Sequence, residues 1–89
     1  MIYPFMTWHD NIEVVHSDMS ENGEVKVIFE EPVHLGFKSA ECYLPEYNWT
    51  KNDGFSEEEL KELDEYIHSV SHIIIELAQE GGIDNASSF

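Results

Sequence analysis

The chain has 89 residues, in which nineteen Asp and Glu face four lysines and no arginine, for a formal net charge of −15 at pH 7. A surface this acidic repels nucleic acid and anionic membranes and attracts cations or basic proteins, and without arginine the usual bidentate phosphate fork is missing. Direct DNA or RNA binding is therefore not expected, and the length and the 42% hydrophobic content predict one small domain, 1–89, with one modest core.

In chain order, Met1 to Met6 lacks the basic region and apolar run of a secretory leader, so a cytoplasmic location is expected. The stretch from Tyr3 to Trp8 is apolar but patternless, suited to an edge strand or to a cover over the core. Ile12 to Ser17 reads as a strand. Ser20-Glu21-Asn22-Gly23 then carries an Asn-Gly hairpin signal. Glu24 to Glu31 alternates, with Val25, Val27 and Phe29 on one face. Pro32 and Gly36 bracket a connection to the next strand, Phe37 to Leu44, whose faces carry Ala40, Cys42 and Leu44 on one side and Phe37, Ser39 and Tyr43 on the other. Pro45 ends it, and 46–55 reads as a polar loop anchored by Tyr47 and Trp49.

A long helix is predicted over 56–80. Ser56 as N-cap and Glu59 three residues on make a capping box. Glu57, Glu58 and Glu59 place negative charge at the positive end of the helix dipole. Leu60, Leu63, Ile67, Val70, Ile74 and Leu77 recur at spacings of three and four and form an apolar stripe. Gly81-Gly82 supplies a stop, and 81–89 reads as a tail. The expected fold is α+β: a three- or four-stranded antiparallel β-sheet within 1–45, followed by one long C-terminal α-helix packed on it.

No motif for chemistry stands out, and the chain is expected not to be an enzyme. Cys42, the only cysteine, rules out an internal disulfide and sits on an apolar strand face, where a cysteine serves as a small hydrophobe. His68 and His72 stand four apart on the helix as weak metal candidates, but Ser69 occupies the place of the glutamate in H-E-x-x-H. Two helical ligands leave a tetrahedral site half filled, so neither metal nor other cofactor is expected.

The acids are the better lead. Glu58, Glu62, Glu65, Glu76 and Glu80 share the outward face of the helix, and Glu30, Glu31, Glu41 and Glu46 add charge near the strand ends. Solubility of a small domain needs a net charge of only about 2–8, and the excess destabilises the compact state by self-repulsion. In size, acidity and scarcity of cations the chain resembles the nucleic-acid-mimicking inhibitors carried by phages and mobile elements, of the anti-CRISPR and anti-restriction kind. That resemblance implies a non-enzymatic inhibitor that blocks a basic, nucleic-acid-binding partner through those five glutamates. Five acids over roughly 33 Å of helix give one charge per ~7 Å, against one per ~1.7 Å in duplex DNA, so strand and loop acids have to join them. The alternative is an antitoxin-like or subunit-like module that binds a protein, or forms a homodimer, through apolar surface on the same helix. There Ile73 and Ile75 widen the apolar arc.

Overall fold

A computed structural model describes residues 1–9 and 11–80. The fold is α+β: strands β1 (Ile2–Trp8), β2 (Ile12–Ser17), β3 (Val25–Val33), β4 (Gly36–Leu44) and β5 (Asn48–Asp53) precede one helix, α1 (Glu57–Glu80). The strands form a five-stranded antiparallel sheet in chain order, β1-β2-β3-β4-β5. The expected stop at Gly81-Gly82 and the tail 81–89 lie outside the described residues. Among the described residues no helix is long and apolar enough to cross a membrane.

The two-residue alternation places Ile12, Val14 and His16 of β2, Val25, Val27 and Phe29 of β3, and Ala40, Cys42 and Leu44 of β4 on one buried face. The helix lies across it. Its contact line differs in part from the expected stripe: Leu63, Ile67 and Ile74 are buried together with Ser71 and Ala78, while Leu60, Val70 and Leu77 are half-buried. The small Ser71 and Ala78 thus share the contact line with the larger Leu63, Ile67 and Ile74, and Leu60, Val70 and Leu77 take its flanks. Ser71 tolerates burial because its hydroxyl shares a 2.7 Å hydrogen bond with the Tyr47 hydroxyl.

The sheet has one strand more than the upper expectation. The apolar N-terminal stretch is edge strand β1, and most of the segment read as a loop is the opposite edge, β5. Apart from half-buried Trp49, β5 exposes all its side chains, so it shows no apolar alternation to detect. Backbone pairing to β4 holds it, together with the Trp49 indole donating to Asp64 of the helix at 2.9 Å. Both edges are irregular, with a register shift at Pro4/Met6 against β2 and another at Glu41/Cys42 against β5. Bulges and an edge proline discourage further strands from adding on.

The β2–β3 turn departs from the two-residue form that Asn-Gly suggests. Ser20 N–H donates to Glu24 O at 2.8 Å and Gly23 N–H to Ser20 O at 3.0 Å, with Gly23 left-handed at φ 83°. This is a three-residue loop closed by a left-handed glycine.

The β3 and β4 strands also run further than the sequence suggests. Pairing of β2 to β3 ends at Glu13↔Glu30 and of β5 to β4 at Ser39↔Asp53, yet β3 and β4 continue together to Val33↔Gly36. Pro32 lies within this extension, where β3 has no outer neighbour and the missing N–H costs nothing. The result is a two-stranded arm reaching about 10 Å beyond the sheet.

The helix starts where that arm leaves the sheet. Ser56 Oγ accepts from Glu59 N–H at 3.1 Å and Glu59 Oε1 accepts from Ser56 N–H at 3.0 Å, the reciprocal bonds of a capping box. Lys38 on β4 reaches Glu59 at 3.0 Å and Glu31 at 3.6 Å, with its ammonium 5.8 Å above the Phe55 ring. Truncating Ile67, fully buried between helix and sheet, to alanine is expected to cost about 2–5 kcal/mol. Urea denaturation would measure it, and an unchanged midpoint would contradict this packing.

Candidate functional site

The five outward glutamates of the helix, Glu58, Glu62, Glu65, Glu76 and Glu80, are all exposed, but they do not form one continuous row. Between Glu65 and Glu76 lie about 16 Å of helix whose exposed residues include His68, Ser69, His72 and Ile73. The acids thus form an N-terminal group and a smaller C-terminal pair. Glu58 with Glu62, and Glu76 with Glu80, are four residues apart, a spacing at which like charges repel.

The N-terminal group has company from the other side of the sheet. On the outer face, Thr7, Glu13, Glu30, Ser39 and Asp53 pair successively across all five strands and form one row. Glu13 and Glu30 are directly opposite each other and exposed, an arrangement that destabilises a sheet. Strand spacing sets Glu13, Glu30 and Asp53 over roughly 14 Å. One end of the domain therefore carries carboxylates on both faces: Glu13, Glu30 and Asp53 behind the sheet, Glu57, Glu58 and Glu62 along the helix start. This row was not legible in the sequence, because it depends on strand register.

Between those faces lies a cleft of about 140 Å³, lined among others by Trp8, Phe55, Glu31, Glu59 and Glu62. Glu59 is held below the usual carboxylate range, first by the Ser56 N–H and then by Lys38. Glu31 Oε1 is buried and lies 3.6 Å from Lys38, an ion pair without a hydrogen bond. Trp8 stacks on Tyr66 at 4.7 Å between ring centres, and burial pushes the Tyr66 phenol up to about 12.

From the same end projects the β3–β4 arm. Its tip is apolar and exposed: Leu35 is 92% accessible, Phe37 66% and Val33 41%. The turn holds two residues, His34 and Leu35, and of these only Leu35 is left-handed, at φ 65°. That differs from the primed turns that match strand twist, which need a positive φ at the first turn residue. A left-handed conformation costs a leucine on the order of 1–2 kcal/mol relative to an ordinary one. The sequence did contain a signal for this tip. Pro32-Val33-His34-Leu35-Gly36-Phe37 is apolar at a connection, where polar residues are the norm.

The remaining candidates fall elsewhere. Ile75 packs against the core, which leaves Ile73, 41% accessible, as the exposed member of the apolar pair at the helix C-terminal half. His68 donates from Nδ1 to Asp64 O at 2.8 Å, an assignment that places its proton on Nδ1, and its ring stacks on Tyr47 at 3.7 Å. His72 is exposed. Among the described residues no three His, Cys, Asp or Glu side chains converge in a way that could hold a metal. Cys42 is fully buried, and burial, with a smaller contribution from the Asp64 charge, pushes its thiol up to about 12. A group so held is neither accessible nor ionised, the opposite of a nucleophile's requirements.

No protein-family profile, curated protein or solved structure matches this chain. The functional reading therefore rests on the geometry.

Two measurements check this description. Cys42 should resist a thiol-specific disulfide reagent in the native protein at neutral pH and react fully in denaturant; rapid native labelling would show the β4 face to be open. Raising NaCl from low concentration to ~0.3 M, where screening acts over about 5–6 Å, should raise the Tm, because relief of self-repulsion outweighs the loss of few ion pairs. A fall in Tm would show that ion pairing dominates.

Proposed function

We propose that this protein is a non-enzymatic inhibitor that inserts its acidic end into a basic, nucleic-acid-binding cleft of a partner protein. The observation that carries this reading is the presence of carboxylates on both faces of one end of the domain. Glu13 and Glu30 lie opposite each other behind the sheet, and Glu58 and Glu62 lie one turn apart on the helix. Both pairs set like charges side by side, which costs stability. An end charged on two sides can face both walls of a cleft at once, whereas a charged helix face alone meets one wall. The helix also lacks the charge density of duplex DNA, and the sheet row supplies part of what it lacks.

The mechanism is steric and electrostatic competition. The carboxylates face lysines and arginines that otherwise hold phosphates, and the domain, about 21–24 Å across its shorter dimensions, fills the space. Steering by the net charge of −15 makes association fast and salt-sensitive. Lys38 is paired off within the domain, and the exposed Lys51 and Lys61 are outnumbered at this end by Glu13, Glu30, Asp53, Glu57, Glu58 and Glu62.

The test is capture from a nuclease-treated lysate of the encoding organism at ~50 mM and ~500 mM salt, with wild type and with Glu13→Lys/Glu30→Lys/Glu58→Lys/Glu62→Lys. Wild type should retain a nucleic-acid-binding protein at low salt and lose it at high salt, where the Debye length falls to ~4 Å. Nucleic acid added back should compete. The charge-reversed variant should keep the wild-type circular dichroism and lose the partner. A folded variant that still captures the same protein would refute the acidic end as the interface. Reversal of Glu65, Glu76 and Glu80 instead should have a smaller effect, since those residues lie outside the doubly charged end.

A further inference from the structure

We propose that the β3–β4 arm is an anchor that enters an apolar pocket in the floor of a basic cleft on another protein, with Leu35 leading and Phe37 and Val33 against the pocket walls. This rests on the reading of the acidic end as the binding end, and it adds the part of the interface that supplies tight retention.

Three observations carry it. First, the apolar groups surround the arm. Alternation places Phe37 with Pro32 on the outer side of the sheet and Val33 on the helix side, with Leu35 at the apex. A flat partner could cover only one side of such a ribbon, whereas a pocket covers all of it. Second, Leu35 is left-handed, at φ 65°, a position that glycine or asparagine would occupy without strain. The glycine present, Gly36, stands one residue away at an ordinary φ and with open space around it. Strain and near-complete exposure fall on the same leucine, and its side chain finds no cover within the described domain. Third, charge decides among occupants. The arm rises from an end bearing Glu13, Glu30, Asp53, Glu57, Glu58 and Glu62. A second copy of this chain would bring another −15, and an anionic membrane is repelled likewise. What fits is a pocket rimmed by lysine or arginine. This is the anatomy of a tight interface, an apolar anchor at the centre and charge at the rim.

The experiment uses the full chain. Leu35→p-benzoylphenylalanine is photo-crosslinked in nuclease-treated lysate of the encoding organism, with Glu46→p-benzoylphenylalanine, at the opposite end of the sheet, as control. Position 35 should give a single adduct with a basic protein, and position 46 should not. That protein is then purified and its binding measured with wild type, Leu35→Asn and Phe37→Ser. Leu35→Asn relieves the left-handed strain, so it should raise the Tm while weakening binding about 100-fold, chiefly through faster dissociation. A purely structural role for Leu35 would not produce that combination. Phe37→Ser should weaken binding without unfolding the domain. The proposal is overturned if position 35 yields no adduct or only a self-adduct. It is equally overturned if the protein floats with phosphatidylcholine/phosphatidylglycerol vesicles through this arm, or if Leu35→Asn binds within about threefold of wild type. The two readings fail separately. Loss of binding in the charge-reversed variant with none in Leu35→Asn removes the arm alone. Loss in Leu35→Asn, with indifference to salt and to competing nucleic acid, removes the nucleic-acid-site reading and leaves the arm.

Discussion

Lys38 is the contact on which the acidic end depends. It is one of four cations in the chain, and it holds Glu31 of its neighbouring strand and Glu59 of the helix at once. Its amine is held above the ordinary lysine value, first by the hydrogen bond to Glu59, and Glu59 is held below the ordinary carboxylate value. The Glu59 contribution is present above the unfolded carboxylate range and fades as pH falls through the folded value. The Lys38 contribution is present below the unfolded lysine range and fades as pH rises through the folded value. The contact is thus intact across neutral pH. Both groups are solvent-accessible, so its worth lies in position more than in energy. It sets where the helix begins relative to the arm. Gly54 makes the approach possible: at φ 104° it takes a conformation that side chains resist, and a Cβ there would meet Lys38 Cγ at 3.0 Å.

Around that contact the molecule divides into a consistent part and an inconsistent one. In the consistent part, alternation, helical period and capping agree, and several polar groups find partners, although His16 Nε2 and the Tyr66 hydroxyl are buried without one. The Tyr47 hydroxyl meets buried Ser71, Asp64 receives the Trp49 indole, and Asn52 exchanges two hydrogen bonds with the backbone of Phe55 between β5 and the helix. At the far end of the sheet the Tyr3 hydroxyl donates to Asp18 at 2.8 Å and holds that carboxyl below its ordinary range. These choices support one another, as a sequence that specifies one structure requires.

Several departures gather at one end, Glu13 against Glu30, Glu58 against Glu62 and a strained, exposed Leu35, while Glu76 against Glu80 and left-handed Tyr47, at φ 59°, lie elsewhere. Each departs from what stability alone would select. Departures of this kind mark functional sites more often than scattered ones do. They also differ in kind. Under the proposed function the charges would act over a Debye length and govern encounter, and the arm would act only on contact and govern dissociation. A protein that needs fast capture and slow release has use for both.

The α+β class, the three central strands and the helix with its cap were legible in the sequence, because each is a local, periodic pattern that burial of one face enforces. Cys42 as a core residue followed from the same alternation. The fifth strand was not legible, since an edge strand whose side chains other than Trp49 are solvated carries no periodic signal and is held mainly by backbone pairing. The Ser71 and Ala78 contact line required the helix to be seen against the sheet, because how close two surfaces approach is a property of both. The acidic end and the arm are tertiary outcomes as well. Which acids share a face depends on strand register, and where a hairpin leaves its sheet depends on where the neighbouring strands stop. Composition determined that this protein is acidic; the fold decided that Glu13, Glu30, Glu58 and Glu62 flank one end and that Leu35 stands beyond them.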